Sequence, residues 1–223
     1  MKKFAVIVAG GSGTRMKTAV PKQFLLLAGS PLLLHCLNTF HEADPEIELI
    51  VVLPVALFHD WENLQGHYAR TIKHHVVPGG ETRFYSVKSA LQYVGEDGLV
   101  AIHDGVRPLI TAEFINYCFD TAGRKGNAVP VLPVCDSIRF IDGDKNRPEN
   151  RNRFRFVQTP QVFESKKLKR AYDQTYQETF TDDATVMESI GEKINLVDGL
   201  KKNIKITSPE DLLIAEALFS SNG

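Results

Sequence analysis

Short runs rich in β-branched residues, at 4–9, 47–53, 74–77, 98–103 and 128–134, alternate with longer amphipathic stretches at 32–41, 55–68, 82–94 and 112–125. Each short run is mostly apolar rather than alternating, the pattern of strands covered on both faces, as strands of parallel sheets are. The longer stretches carry apolar residues at helical spacing; Phe84, Val87, Leu91 and Val94 share one face. Strand–helix alternation of this kind predicts a doubly wound, mostly parallel α/β sheet with right-handed crossovers.

The rhythm breaks after Val134. Residues 136–158 are polar and charged, with Asp142-Gly143-Asp144 as a turn signal between short segments at 138–141 and 153–156, predicting a protruding two-stranded β-arm. Arg151, Arg153 and Arg155 alternate with other residues, which would set the guanidiniums on one face of an extended segment. Helices at 165–177, 183–189 and 209–218 and a strand at 194–197 complete the reading. Ser208 is the expected N-cap of the last helix and Pro209 its first-turn residue. The 223 residues are read as one Rossmann-like domain over 1–223, long enough to bury its own core.

With 26 Lys+Arg against 27 Asp+Glu, the net charge of −1 argues against nonspecific nucleic-acid binding, which needs a basic excess. A small, strongly basic pocket remains compatible with it. Cys36, Cys118 and Cys135 are too few and too scattered for a disulfide framework or a zinc site, which fits a reducing cytoplasm. The start imitates a signal peptide, but the apolar run ends in glycines and Arg15, so it reads as a buried strand. The longest apolar stretch, 49–58, contains Pro54 and falls well short of the ~20 residues of a membrane span, so no membrane partner is expected.

The first strand runs straight into Gly10-Gly11-Ser12-Gly13-Thr14-Arg15-Met16, followed by Lys17 and Lys22. Closely spaced glycines let backbone N–H groups approach a phosphate, and Arg15 and Lys22 could neutralise it. A dinucleotide fingerprint would need glycine where Met16 stands, and a P-loop would need Gly-Lys-Ser/Thr, which is absent; a plain glycine turn is the bland alternative. His103-Asp104-Gly105-Val106-Arg107-Pro108 closes another buried strand, where open α/β sheets bind ligands. Asp104 suits Mg²⁺ and Arg107 a second phosphate, unless the two merely form a salt bridge within the turn. Gly79-Gly80-Glu81-Thr82-Arg83 is a strand-to-helix junction able to hold an anion or a base edge, or only to cap a helix. Lys205 sits in Asn203-Ile204-Lys205-Ile206-Thr207, either at the site or protecting a strand edge. Several cationic or N–H-rich sites plus one aspartate point to transfer chemistry on a nucleotide, and nothing suggests a covalent nucleophile.

These residues resemble a known family. The segment from Ala9 to Met16 with Pro21-Lys22-Gln23-Phe24 is similar to the signature of nucleotidyltransferases that make sugar or polyol nucleotides. His103 to Pro108, Gln158-Thr159-Pro160-Gln161, Thr181-Asp182-Asp183-Ala184 and Asn203 to Thr207 narrow the likeness to the 2-C-methyl-D-erythritol 4-phosphate cytidylyltransferase family, over almost the whole chain. The resemblance implies Mg²⁺-dependent attack by a phosphate oxygen of methylerythritol phosphate on the α-phosphorus of CTP. It also implies roles by motif position. Arg15, Lys22, Lys205 and Asp104 would be catalytic, Asp104 also holding the metal. Ala9, Gly10, Gly11, Gly13, Gly80, Glu81, Arg83 and Ser86 would surround CTP; Asp104, Arg107, Ser137, Arg151 and Thr159 would surround the acceptor. The 136–158 excursion matches an arm that reaches across a homodimer into the neighbouring site, with Arg153 and Arg155 as rivals of Arg151. Gly10 and Gly105 stand where the family usually carries alanine, and Ser137 where it carries threonine. The rival readings are a ribitol-5-phosphate cytidylyltransferase, with the same fold, nucleotide and metal, and an inert nucleotide-binding module.

Overall fold

The computed structural model describes residues 1–11, 20–67 and 72–220. The first strand, β1 (Lys2–Val8), turns Phe4 and Val6 to one face and Ala5 and Ile7 to the other, all four fully buried, so it belongs in the middle of a sheet. A small hairpin, β2 (Leu26–Leu27) and β3 (Ser30–Pro31), turns through Ala28 and Gly29 at φ 47° and 81° and leads into α1 (Leu32–Ala43). Next come β4 (Glu48–Leu53), α2 (Phe58–Gly66), β5 (His75–Pro78), α3 (Arg83–Ala90), β6 (Gly98–Asp104), α4 (Ala112–Lys125) and β7 (Asn127–Pro133). Thr82 and Thr111 cap α3 and α4 by accepting from Tyr85 N and Phe114 N, and α4 ends on Gly126 in the left-handed region (φ 90°). The alternation predicted from sequence is thus present, with boundaries shifted by a few residues.

Past β7 the chain departs from expectation. The arm pairs β8 (Ile138–Asp142) with β9 (Lys145–Glu149) around Gly143. Its second strand is therefore 145–149, not the expected 153–156. An arm exposed on both faces needs no apolar stripe, and Lys-Asn-Arg-Pro-Glu leaves no β-pattern to read. Arg151–Arg153 instead form a short 3₁₀ turn, and β10 (Arg155–Val157) joins the main sheet antiparallel to β7. The three arginines consequently do not line one face of an extended strand. A second departure is β11 (Gln161–Glu164), which inserts antiparallel between β6 and β7. The chain then forms α5 (Ser165–Tyr172), α6 (Asp183–Glu188), β12 (Leu196–Asp198), parallel to β7, and α7 (Pro209–Ser220). Asp211 N donates to Ser208 Oγ at 3.3 Å, the cap expected for α7. Residues 203–207 join no sheet; Ile206 N donates to Val106 O at 2.9 Å.

The main order is β10-β7-β11-β6-β1-β4-β5, mostly parallel. One face packs on α1 and α4 through Leu33, Leu37, Phe40, Ile115 and Phe119, the other on α3, α5 and α6 through Phe84, Val87, Leu168 and Met187. Ala215 of α7 closes a smaller cluster with Leu27, Leu32, Val106 and Ile206. Val8 of β1 stands opposite Asp104 of β6, and Leu53 of β4 opposite Pro78 of β5. The loops after β1, β5 and β6 therefore emerge at one edge. Among the described residues, no helix is long and apolar enough to cross a membrane.

Candidate active site

Those loops enclose a cleft of about 370 Å³. Val8 to Gly11 follow β1, Gly80 to Arg83 and Ser86 belong to the β5–α3 junction, and Asp104 and Val106 follow β6. Lys22 with Gln23, and Lys205, complete the lining. Backbone packs closely where the first two loops meet. A Cβ on Gly10 would lie 3.3 Å from Ser86 Oγ, and one on Gly80 only 2.4 Å from Tyr85 Cβ. Buried Ser86 ties the loop together, its Oγ accepting from Gly80 N (3.1 Å) and donating to Thr82 O (2.9 Å).

Asp104, buried at 7% exposure, is the electrostatic centre. Its Oδ2 meets Lys205 Nζ at 3.1 Å and Arg107 Nε at 3.2 Å, while Arg83 Nε lies 3.7 Å from Oδ1. Burial alone would raise its pKa, but Arg83, Lys205 and Arg107 outweigh it and hold the carboxyl well below the usual range. Asp104 is thus an anion at neutral pH inside a ring of cations, and the cleft as a whole favours a polyanion. Burial pushes the Cys36 and Cys118 thiols up to about 12, leaving both inert as nucleophiles.

Residues 158–161 fasten this centre from behind. Gln158 donates to Leu200 O (2.9 Å) and Asn203 O (3.2 Å) and accepts from Leu200 N (3.0 Å), setting the loop that carries Lys205. Asn203 Nδ2 donates to Thr159 O at 2.8 Å. Thr159 Oγ1 accepts from Asp104 N (3.0 Å) and lies 3.1 Å from His103 Nδ1. His103 Nε2 faces Arg107 O at 3.2 Å, and a carbonyl can only accept, so Nε2 carries the proton and Nδ1 accepts from the threonine. Burial lowers the His103 pKa to about 4, so the ring is neutral and both bonds hold at pH 7.

Of the residues singled out from sequence, Ala9, Gly10, Gly11, Lys22, Gly80, Glu81, Arg83, Ser86, Asp104 and Lys205 line one cleft. Gly13 and Arg15 lie outside the described residues. Arg107 is buried beneath Asp104, its Nη1 donating to Asn203 O at 2.9 Å, so the ion pair within the turn is present. Thr159 stands behind Asp104 rather than in the cleft wall. Ser137 and Arg151 are exposed on or beside the arm, Arg151 Nη1 donating to Cys135 O. Gly105 is closely packed: a Cβ there would meet Ala9 Cβ at 3.1 Å and Leu33 Cδ1 at 3.2 Å. The expected strand at 203–207 is absent, and Lys205 reaches Asp104 from irregular chain. Sequence reading missed the roles of Gln158, Gln161 and Asp183. All three fall within motifs quoted for the resemblance, but polar side chains that support a site from behind have no spacing rule of their own.

A glycine-lined cleft at the carboxyl ends of parallel strands, with the Asp104 carboxylate among several cations, defines an α/β protein that takes a polyanionic ligand at its sheet edge. Comparison with known proteins makes this particular. A family model described as 2-C-methyl-D-erythritol 4-phosphate cytidylyltransferase matches residues 4–221. The protein of that name from Porphyromonas gingivalis is 48% identical over 222 residues, covering 99% of each chain. That from Phocaeicola vulgatus is 44% identical over 219 residues, covering 98% of this chain and all of its own. The crystal structure of the Thermus thermophilus protein of that name superposes with a TM-score of 0.78 at 31% identity, over 98% of both chains. The chain belongs to the 2-C-methyl-D-erythritol 4-phosphate cytidylyltransferase family.

Proposed function

We propose that this protein transfers CMP from CTP to 2-C-methyl-D-erythritol 4-phosphate, giving 4-diphosphocytidyl-2-C-methyl-D-erythritol and pyrophosphate. The observation that carries the proposal is the convergence of Lys22, Lys205, Arg83 and Asp104 on one glycine-lined cleft, in a chain matched almost end to end by that family. A phosphate oxygen of the acceptor bonds to the α-phosphorus, and the bond to the bridging oxygen breaks, its electron pair leaving with pyrophosphate. The attacking phosphate is already anionic, so the residues have to align two anions and offset the charge gathered between them rather than remove a proton. Gly10, Gly11 and Gly80 bring backbone close to the nucleotide; Lys22 with Arg15 serves the triphosphate, and Lys205 the α-phosphate. Glu81, Arg83 and Ser86 shape the nucleoside side, with Ser86 acting through the loop it ties.

A divalent cation fits here in one form. Among the described residues no group of three or more His, Cys, Asp or Glu side chains could cage a metal. Asp104 Oδ1, however, is not the oxygen that Arg107 and Lys205 meet, and Arg83 Nε stands 3.7 Å from it. One carboxylate oxygen plus substrate phosphates is the usual Mg²⁺ arrangement. Asp104 would hold the ion, which when bound would neutralise phosphate charge. The surrounding cations repel a bare divalent ion, so it would enter together with the nucleotide.

Phe140, Ile141, Phe154, Phe156 and Val157 are exposed on the arm and β10, supporting a homodimer through this face, with Arg151 serving the acceptor in the partner's cleft. Free Cys36, Cys118 and Cys135 are in keeping with the cytoplasm. The test of function is pyrophosphate release from CTP with each acceptor. Preference for ribitol 5-phosphate over methylerythritol phosphate would overturn the assignment. Arg151→Ala is expected to raise the KM for the acceptor about tenfold with the KM for CTP changed less than twofold; equal damage to both would remove Arg151 from the acceptor site.

A further inference from the structure

Arg83 is held between two carboxylates. Its Nη1 and Nη2 donate to Asp183 Oδ1 at 3.0 Å and Oδ2 at 2.6 Å, whereas its Nε stops 3.7 Å short of Asp104 Oδ1. The first contact is a bidentate pair, the strongest form of arginine–carboxylate recognition; the second exceeds hydrogen-bond length. Asp183 is fully buried and takes a further hydrogen bond from Tyr172 OH at 2.6 Å. It is the first residue of α6, and the start of that helix is pinned to the sheet from both sides. Gln161 Nε2 donates to Asp182 Oδ2 and Gln161 Oε1 accepts from Ala184 N, each at 2.9 Å, while Asp182 and Thr185 form a capping box. The route runs from β11 through α6 to Asp183, then to Arg83, and ends at the cleft carboxylate.

A fully buried aspartate is a poor choice for stability alone, since an apolar residue of similar size in place of a buried ion pair is often as good or better. What Asp183 alters is the direction of Arg83. Among the described residues Asp104 Oδ2 already has Arg107 and Lys205, which leaves Oδ1 as the more open oxygen. If the Arg83 fork were released, the nearest remaining carboxylate would be Asp104, and closing a gap of 3.7 Å to hydrogen-bond distance would occupy that oxygen. We propose that Asp183 is a positioning residue for the reaction: by taking both terminal nitrogens of Arg83 it holds that guanidinium off Asp104 and keeps Oδ1 open to the ligand side of the cleft. The proposal rests on the reading that Asp104 serves the cation accompanying CTP.

The experiment is calorimetric titration of CTP into the full chain, in Mg²⁺ and in EDTA. The ratio of the two affinities measures the coupling of metal and nucleotide, with no turnover involved. Near-UV circular dichroism reports folding. Asp104→Asn should bring the ratio close to one. Asp183→Asn should lower it about tenfold while changing the affinity in EDTA less than threefold. Adding Arg83→Met to Asp183→Asn should restore the ratio to within threefold of wild type, because the interfering cation is gone. A merely structural role for Asp183 gives no such rescue.

A folded Asp183→Asn protein with an undiminished ratio, beside an Asp104→Asn protein whose ratio has collapsed, overturns the proposal and leaves Asp104 its role. Loss of the ratio in Asp183→Asn without rescue by Arg83→Met also overturns it. An unchanged ratio in Asp104→Asn overturns instead the reading on which the proposal rests. Should Asp183→Asn fail to fold, the double variant decides, since it leaves no orphaned buried charge: a ratio within threefold of wild type supports the proposal, and a lower one overturns it.

Discussion

Lys22→Ala is expected to lower kcat by about a hundredfold or more at saturating CTP and acceptor, the effect of deleting one preorganised donor to charge that grows in the transition state. The local fold explains why so much rests on one side chain. Pro21, at φ −54°, precedes a single 3₁₀ turn over Lys22–Phe24, and Leu25 N closes it on Lys22 O. Gln23 and Phe24 are buried, Phe24 stacking on Trp61 with ring centroids 5.8 Å apart. Lys22 is thus presented to the cleft from an anchored turn, and its position is established by folding rather than during the reaction. Lys22→Arg should recover only part of the rate, because a planar fork does not reproduce a compact ammonium. Steady-state kinetics beside calorimetric CTP affinity provide the check: turnover of the alanine variant within threefold of wild type would remove Lys22 from the reacting phosphates.

The parallel half of the sheet was legible because burial on both faces imposes a pattern that sequence cannot hide: Phe4 and Val6 against Ala5 and Ile7 in β1, and Ile50 and Val52 against Leu49 and Val51 in β4. The cleft was legible for a related reason. Glycines at a strand end and an aspartate closing a buried strand have few alternative uses, and the register of β1 with β6 brings them together. The second half obeys weaker constraints. β11 is four residues long and its opening glutamine is buried to grip α6, so it looks like a loop motif. β9 pairs with β8 in solvent, where charge and proline are tolerated and no alternation is required. Phe154 and Phe156 suggested an arm strand because their apolar character was apparent, whereas β10 belongs to the main sheet with both side chains exposed. Arg107 is ambiguous in sequence: an arginine three residues after an aspartate suits an anion site and an ion pair equally, and only burial decides between them.

Asp104→Asn should separate the two consequences of this cluster, lowering turnover about a thousandfold while costing on the order of 2 kcal/mol of stability. The stability cost is smaller than breaking a buried pair usually produces because its cations are not equally dependent on it. Lys205, with a side chain 41% exposed, can turn to water, and Arg83 keeps Asp183. The cost therefore falls mainly on Arg107, buried with Asn203 O as its other partner. The pH dependence follows from the depressed folded-state pKa of Asp104. On acidification the unfolded chain protonates this residue first, near 3.8, so the stabilisation is complete above that value and drains away as pH falls towards the folded-state pKa. Urea unfolding at pH 7 should show the full difference between wild type and variant, and at pH 3 a reduced one. A difference that does not shrink would mean that packing, not charge, holds Asp104 in place. The kinetic loss has a separate signature. The Mg²⁺ enhancement of CTP affinity should vanish in Asp104→Asn and persist in Lys22→Ala, because one side chain would serve the cation and the other the phosphates; loss in both would mean that the two act as a single unit.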